Sequence, residues 1–432
     1  MARVKIAYIG GGSTRAPGTV ASFIRQADNF AGSEIVLHDL DPERLELVQR
    51  LATRMVQAQG ADLTVRATLD RRDALQGCDG VLSSYRPGGF EARALDERLP
   101  LQRGVIGQET QGAGGFFMAL RAIQVARELV ADMEAVCPQA ILFNYTNPVN
   151  IVAQAISDHS DVRVVSLCEG PIVFPREMAE LAGLDPGKVR AVMLGLNHAC
   201  WSDQSGGGAE YDGRPMLPLL ARRLEEGNIT DAWARRWIEL ARQMDSLPAS
   251  YMKYYYFEPE MLAELRDKPT TRAQDILAEV PDYWTHYREQ AEADAPDLDP
   301  ARSRGGIFEL EVAVDVMDAA FNDRNEVWPT NVRNGGAIQD FPDDLVVEVP
   351  CLVNRQGVRP LSGYRVPPPV RGLLAALGEY QRLTADAAWD GTRLQAIQAL
   401  TANPLVRSLD LARTLYDDLA AAHRAHLPER LW

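Results

Sequence analysis

The sequence predicts an α/β protein that begins with a doubly wound parallel sheet (residues 1–166) and continues into a second α/β (α+β) unit (residues 167–432). Three observations carry this. Short β-rich apolar runs alternate with helical periodicity through the first third. The first run breaks into a glycine cluster and the second ends on an acid. From about Leu167 the rhythm changes to longer helical stretches with isolated strands such as "LVVEVPCLV".

The runs are "KIAYI", "EIVLHD", "GVLSSY", "AILFNYT" and "VRVVSLC". "KIAYI" leads into Gly10, Gly11, Gly12, Ser13 and Thr14, the start of a nucleotide-binding loop. Gly10 and Gly12 meet the G-x-G-x-x-G dinucleotide fingerprint, but Arg15 stands where its third glycine should pack helix on strand. Asp39 ends the second run about 25 residues further on, where a carboxylate takes the adenosine ribose hydroxyls and disfavours a 2′-phosphate. NAD is therefore expected over NADP. On a purely structural reading, "HDLDPER" is a strand end followed by a helix capped by Asp41 with Pro42 in its first turn.

The 432 residues are 46% hydrophobic, enough for a large core, and carry 60 acidic against 45 basic side chains, a formal charge of -15. With no Lys or Arg run, a general nucleic-acid surface is excluded, and any anionic ligand needs local positive charge. No stretch reads as a signal peptide or reaches the roughly 20 apolar residues of a membrane span. The odd, scattered cysteines (Cys78, Cys137, Cys168, Cys200, Cys351) argue against a disulfide framework. A cytoplasmic protein is expected. The segment "SGGGAEYDGRP" reads as a flexible loop.

Four clusters carry potential chemistry. Ser84 to Phe117 reads as a long loop-rich passage with seven glycines, four arginines and Glu109, and loops of that length are usually functional. "NYTNPVN" puts Asn147 after an apolar strand, at the sheet edge where ligands bind, or merely in a turn. Cys168 in "SLCEGP" and His198 in "LGLNHACW" each end an apolar run and so could meet in one crevice, though either could be plain core; by softness such a pair suggests zinc or iron before a hard ion. "SYMKYYYFEPEM" holds four tyrosines; on a helix Tyr251, Tyr254 and Tyr255 share a face, giving an aromatic core patch or a tyrosine base.

Taken in order, "GGGST", "RPGG", "IGQET", "NYTNP", "CEGP", "GLNH", the tyrosine cluster and "TNVRNGGAIQDFPDDLVVEVPC" resemble glycoside hydrolase family 4 over most of the chain. That family is the NAD-dependent exception to two-carboxylate glycoside hydrolysis. The resemblance implies a Rossmann-type first half, NAD-binding and similar to lactate and malate dehydrogenases, and a second half for catalysis, substrate and oligomerisation. It also implies a redox-assisted elimination. NAD oxidises the sugar C3 hydroxyl, which acidifies the C2 hydrogen; a base removes that hydrogen, the C1 aglycone leaves, water adds, and the hydride returns to C3. Family members also drop the third glycine, so Arg15 does not argue against NAD.

Residue by residue, the resemblance makes Cys168 and His198 ligands of a divalent metal, usually manganese, which replaces the softness argument for zinc. Tyr251 matches the base, and Glu109 the carboxylate that raises its basicity; a free phenol titrates near about 10. Arg93, Asn147 and Arg272 match substrate-holding positions, the arginines suiting a sugar 6-phosphate. Glu169 departs from the pattern: β-type members usually carry Asn there and α-type members Asp, the leaving-group acid. "GQETQGAGGFFMALRAI" and "YMKYYY" look more like the β-type. The expectation is a 6-phospho-β-glucosidase with Glu169 as general acid, working as a homodimer or homotetramer. The alternatives are an α-type or non-phosphorylated substrate, a net NAD-dependent dehydrogenase, and a silent NAD sensor.

Overall fold

The computed structural model describes residues 1–204, 208–303 and 311–432. The start of the expected "SGGGAEYDGRP" loop (205–207) and the residues 304–310 ahead of the helix Glu311–Phe321 lie outside the described residues.

Six parallel strands, β1 (Lys5–Ile9), β2 (Ser33–His38), β3 (Leu63–Thr68), β4 (Gly80–Ser83), β5 (Ile141–Asn144) and β6 (Arg163–Ser166), lie in the order β3-β2-β1-β4-β5-β6. This is the doubly wound dinucleotide-binding order, which reverses direction between β1 and β4 and opens a crevice at their carboxyl ends. Their interior strands read as continuous apolar runs because both faces are covered. One face carries the helices Ala16–Arg25, Pro42–Gln59 and Arg272–Glu292. The other carries Gly112–Val136 and Val149–His159, against which the late helix Arg371–Trp389 packs.

The later strands are β7 (Val189–Ala191), β8 (Met193–Leu196), β9 (Ala199–Ser202), β10 (Ala209–Tyr211), β11 (Arg214–Pro215), β12 (Glu326–Arg333), β13 (Val346–Asn354) and β14 (Gly357–Pro360). They do not all build a sheet of their own. β12 joins β6 antiparallel, and β13, β8 and β9 continue the same sheet, with β14 on β13; β11, β10 and β7 form a small separate ribbon. The end of β6, which delivers Cys168, therefore lies two strands away from β8, whose end delivers His198, counted across β12 and β13.

Asp41 caps the helix Pro42–Gln59 as its sequence suggests, accepting from the N–H groups of Glu43 and Arg44 at 3.1 Å each, a contact worth about 1 kcal/mol. The expectation of a long loop between Ser84 and Phe117 is corrected: Gly89–Gln102 is a helix and a second begins at Gly112, leaving only residues 84–88 and 103–111 irregular. Left-handed Gly88 (φ 81) starts the first of these helices, and its interior, "FEARALDERL", is made of good helix formers. Five of the seven glycines that suggested a loop (Gly88, Gly89, Gly112, Gly114 and Gly115) sit at the starts of these helices. Among the described residues no helix is long and apolar enough to cross a membrane.

Candidate active site

The glycine loop is built for close approach. Gly10 has φ 97, and a Cβ there would meet the Ser84 carbonyl oxygen at 2.0 Å; on Gly11 it would meet Leu37 at 2.8 Å and on Gly12 Asp39 at 2.9 Å. Gly10 and Gly11 both donate to the His38 carbonyl at 2.9 Å, pinning β1 to β2 beyond their ladder. The Gly12 N–H donates to Asp39 Oδ2 at 2.9 Å, and Asp39 Oδ1 accepts from Leu40 N–H at 2.8 Å. The acid expected at the ribose is thus held at the lip of the loop. A cavity of about 450 Å³ runs from here along Gly10, Gly12, Ser13, Thr14 and Asp39 to Arg86 and Trp284. Bare glycine backbone, a helix N-terminus behind Arg15 and a carboxylate at the strand end fit a dinucleotide.

A second cavity, of about 630 Å³, gathers Arg93, Cys168, Glu169, His198, Tyr251 and Arg272. Arg15, Glu109, Tyr145 and Asn147 line both cavities, so the two adjoin. The Asn147-Pro148 peptide bond is cis. The candidate residues named in the sequence line one cavity or the other except Tyr255 and Gly11; Gly11 faces Leu37 and serves the loop's packing.

Cys168 Sγ and His198 Nε2 lie 3.7 Å apart, a spacing at which one cation can touch both. His198 sits in left-handed backbone (φ 61), and burial lowers its pKa to about 4, so its imidazole is neutral and able to ligate. Its other nitrogen meets Thr110 Oγ1 at 2.9 Å. Because the Thr110 hydroxyl donates to Gln108 Oε1 at 2.9 Å, it accepts from His198 Nδ1–H, which leaves the Nε2 lone pair facing Cys168. Burial and the neighbouring Glu169 and Glu348 carboxylates push the Cys168 thiol well up, so it becomes a thiolate only with positive charge beside it. A thiolate and an imidazole with open space in front fit a divalent ion that completes its shell with substrate oxygens.

Tyr251 stacks on His198 at 4.0 Å between centroids, 3° from parallel, with Phe174 edge-on at 5.9 Å. Burial first, and then the Glu109 carboxylate, raise its phenol well above the usual value. The tyrosine cluster is a 3-10 turn, Ser250–Met252, followed by the short helix Lys253–Tyr256. Tyr254 joins Tyr251 in the cavity, while Tyr255 turns away to donate to Gln111 Oε1 at 2.6 Å.

Glu109 is the hub between the cavities. Its Oε2 lies 2.8 Å from Arg86 Nη2 and 2.8 Å from Arg93 Nη1. Arg93, only 6% exposed, also pairs with Glu97 at 2.7 Å, and the other oxygen of Glu97 accepts from Ala273 N–H at 2.8 Å. That bond ties Arg93 to the first turn of the helix Arg272–Glu292, whose Thr271 cap makes a capping box with Gln274. Arg272, first in that helix and exposed, lines the same cavity as Cys168. Sequence reasoning missed Thr110, Gln108 and Arg86. Each lies inside a quoted motif, but only the contact to His198 or Glu109 distinguishes it from its neighbours.

The model described as "Family 4 glycosyl hydrolase" matches residues 5–184, and that for the "Family 4 glycosyl hydrolase C-terminal domain" matches residues 193–406. The chain is 35% identical to the "Probable 6-phospho-beta-glucosidase" of Bacillus subtilis, over 99% of this chain and 98% of the relative. It superposes on a 6-phospho-α-glucosidase from gut microorganisms, solved with NAD and Mn²⁺, with TM-score 0.86 and 26% identity over 99% of each chain. It superposes on the Thermotoga maritima 6-phospho-β-glucosidase, solved with manganese, NAD⁺ and glucose-6-phosphate, with TM-score 0.84 and 26% identity over 98% of this chain and 99% of that one. A lactate dehydrogenase from Cryptosporidium parvum, 17% identical with TM-score 0.54 over 89% of this chain and 99% of that one, shares the fold alone.

Proposed function

The chain belongs to family 4 of the glycosyl hydrolases, and on that premise we propose that it hydrolyses 6-phospho-β-glucosides with the help of NAD and a divalent cation, manganese. The observation that carries the reading is the junction of the two cavities at Arg15, Glu109, Tyr145 and Asn147, which sets the glycine-loop crevice against Cys168, His198 and Tyr251. Relatives solved with NAD, manganese and glucose-6-phosphate support the ligands, and the Bacillus subtilis relative supports the β-anomer.

Bound NAD would supply reversible hydride acceptance and the cation Lewis acidity toward the sugar's oxygens. Cys168 and His198 would hold the cation, and Gly10 to Thr14 with Asp39 the dinucleotide. Arg272, Asn147 and Arg93 would hold the sugar phosphate, with Lys253 adding charge to the same cavity. Tyr251, stacked on His198, takes the C2 proton once positive charge offsets what burial and Glu109 impose on its phenol. Glu169, between Cys168 and the helix Gly170–Leu181, gives a proton to the departing C1 oxygen. In this reading residues 1–166 serve the dinucleotide and 167–432 the metal, base and subunit contacts, with Arg93, Glu109 and Asn147 of the first half reaching into the sugar cavity.

The test is release of p-nitrophenol from the α- and β-glucosides, each with and without 6-phosphate, with NAD, manganese and reductant. Cleavage of the phosphorylated β-anomer alone, lost without NAD or with chelator, is the expected result. A second reading, the phosphorylated α-anomer, is favoured by one observation: Glu169 places a carboxylic acid in the cavity where β-type sequences usually carry Asn. Cleavage of the α-compound selects it, and stoichiometric release of NADH without cleavage would select a net dehydrogenase instead.

A further inference from the structure

Beneath the Cys168/His198 pair the sheet carries a buried polar row. Its register places Ser166 of β6 beside Asn331 of β12, Asn331 beside Glu348 of β13, and Glu348 beside Gly195 of β8. Cys168 follows Ser166 by two residues and His198 follows Gly195 by three, so the row spans the two strand ends that deliver the candidate ligands. Ser166, Asn331 and Glu348 are 0%, 1% and 1% exposed.

Glu348 is the centre of this row. Its Oε1 accepts from Asn331 Nδ2 at 3.0 Å and from Asn197 Nδ2 at 2.9 Å. Asn331 Nδ2 also reaches the Ser166 carbonyl at 3.4 Å. Asn197 immediately precedes left-handed His198, and Ser166, whose carbonyl Asn331 reaches, stands two residues before Cys168. The carboxylate of Glu348 thus ties down both strand ends, through Asn197 the turn that carries His198 and through Asn331 the Ser166 backbone that leads to Cys168. A carboxylate here is no gift to stability, since burying its charge is costly and apolar residues fill such a place as well. The network instead fixes where two strand ends put their side chains.

We propose that Glu348 is a positioning residue for the metal centre, acting through Asn197 on the His198 turn and through Asn331 on the strand end before Cys168, so that the two side chains keep the separation one cation requires. This rests on reading Cys168 and His198 as the metal ligands, and the experiment separates the two ideas. Mn²⁺ is titrated into the NAD-loaded protein without sugar and the free ion read by electron paramagnetic resonance. Co²⁺ is substituted in parallel to read the thiolate-to-cobalt charge-transfer band, which reports the sulfur's geometry independently of turnover.

His198→Ala is expected to lose Mn²⁺ binding. Glu348→Ala is expected to weaken it about 10- to 100-fold and to diminish the cobalt band, whereas Glu348→Gln, which keeps an oxygen acceptor for both amides, restores both to within a few-fold. Asn197→Ala is expected to go part of the way to Glu348→Ala, and the double variant to fall no further than Glu348→Ala alone, a coupling that general loosening of the fold would not produce. Parent-like affinity and cobalt band in Glu348→Ala, with His198→Ala inactive in binding, overturn the proposal and leave the ligand reading standing. If Glu348→Ala does not fold, parent-like binding by Asn197→Ala overturns it equally. Undiminished Mn²⁺ binding by His198→Ala removes the ligand reading and this proposal with it.

Discussion

The Nδ1–H of His198 donates to the hydroxyl of Thr110 at 2.9 Å, and this contact decides which imidazole nitrogen faces Cys168. Thr110→Val keeps the shape and removes the acceptor, leaving a buried N–H without a partner. The expected result is Mn²⁺ affinity lower by about 10- to 100-fold, with NAD affinity unchanged. Thr110→Ser restores the metal. Calorimetric titration of each ligand checks it, and equal metal affinity in Thr110→Val would show that stacking on Tyr251 alone orients the ring.

Asp39 ties the glycine loop to the second strand through Gly12, and its carboxylate borders the dinucleotide cavity. Asp39→Ala removes both the loop contact and the negative charge that disfavours a 2′-phosphate. A charge-assisted hydrogen bond contributes about 1.5–3 kcal/mol, so the dissociation constant for NAD should rise about 10- to 100-fold. That for NADP should rise less or fall, as read by quenching of protein fluorescence. A uniform loss for both dinucleotides would mean that Asp39 serves only the loop.

The first half was legible because a parallel βαβ unit writes its signals locally: apolar strand, glycine turn, capped helix, acidic strand end. The continuation of the sheet through β12, β13, β8 and β9 was not, because antiparallel pairing between β6 and β12 joins residues far apart in the chain and leaves no period to read. Cys168 and His198 could be singled out by type and by their places after apolar runs. Their 3.7 Å approach depends on two intervening strands contributed from beyond residue 325. Gly89–Gln102 was misread as loop because glycines at helix ends look, in sequence, like glycines within a loop. The roles of Thr110 and Arg86 exist only as contacts, so no local pattern announces them.

Glu109 holds Arg86 on the dinucleotide side and Arg93 on the sugar side with one oxygen. Three substitutions separate these duties. Arg86→Ala should weaken NAD binding, and Arg93→Ala should raise the KM for the sugar phosphate, each by about tenfold or more. Glu109→Gln should do both at once and lower kcat, because both guanidiniums lose the carboxylate they share, Arg93 keeping only Glu97, and Tyr251 loses the carboxylate beside it. Steady-state kinetics with both ligands varied checks this. A Glu109→Gln protein with normal KM for sugar and NAD but low kcat would confine Glu109 to the tyrosine.

Glu169 lies next to Cys168 and lines the sugar cavity at the start of the helix Gly170–Leu181. If it protonates the departing oxygen, its importance must grow with the basicity of the aglycone. p-Nitrophenolate is a weak base and leaves unaided, whereas an alkoxide or a second sugar needs a proton in the transition state. Glu169→Gln should therefore cleave the p-nitrophenyl substrate at close to the parent rate but alkyl and disaccharide phosphates about 10²- to 10⁴-fold more slowly. The slope of log kcat/KM against leaving-group pKa should steepen accordingly. Chemistry must limit the rate for the comparison to hold, so a deuterium isotope effect at C2 is measured alongside. An unchanged slope with an intact isotope effect would take the proton-donor role from Glu169 and leave the departing oxygen to solvent.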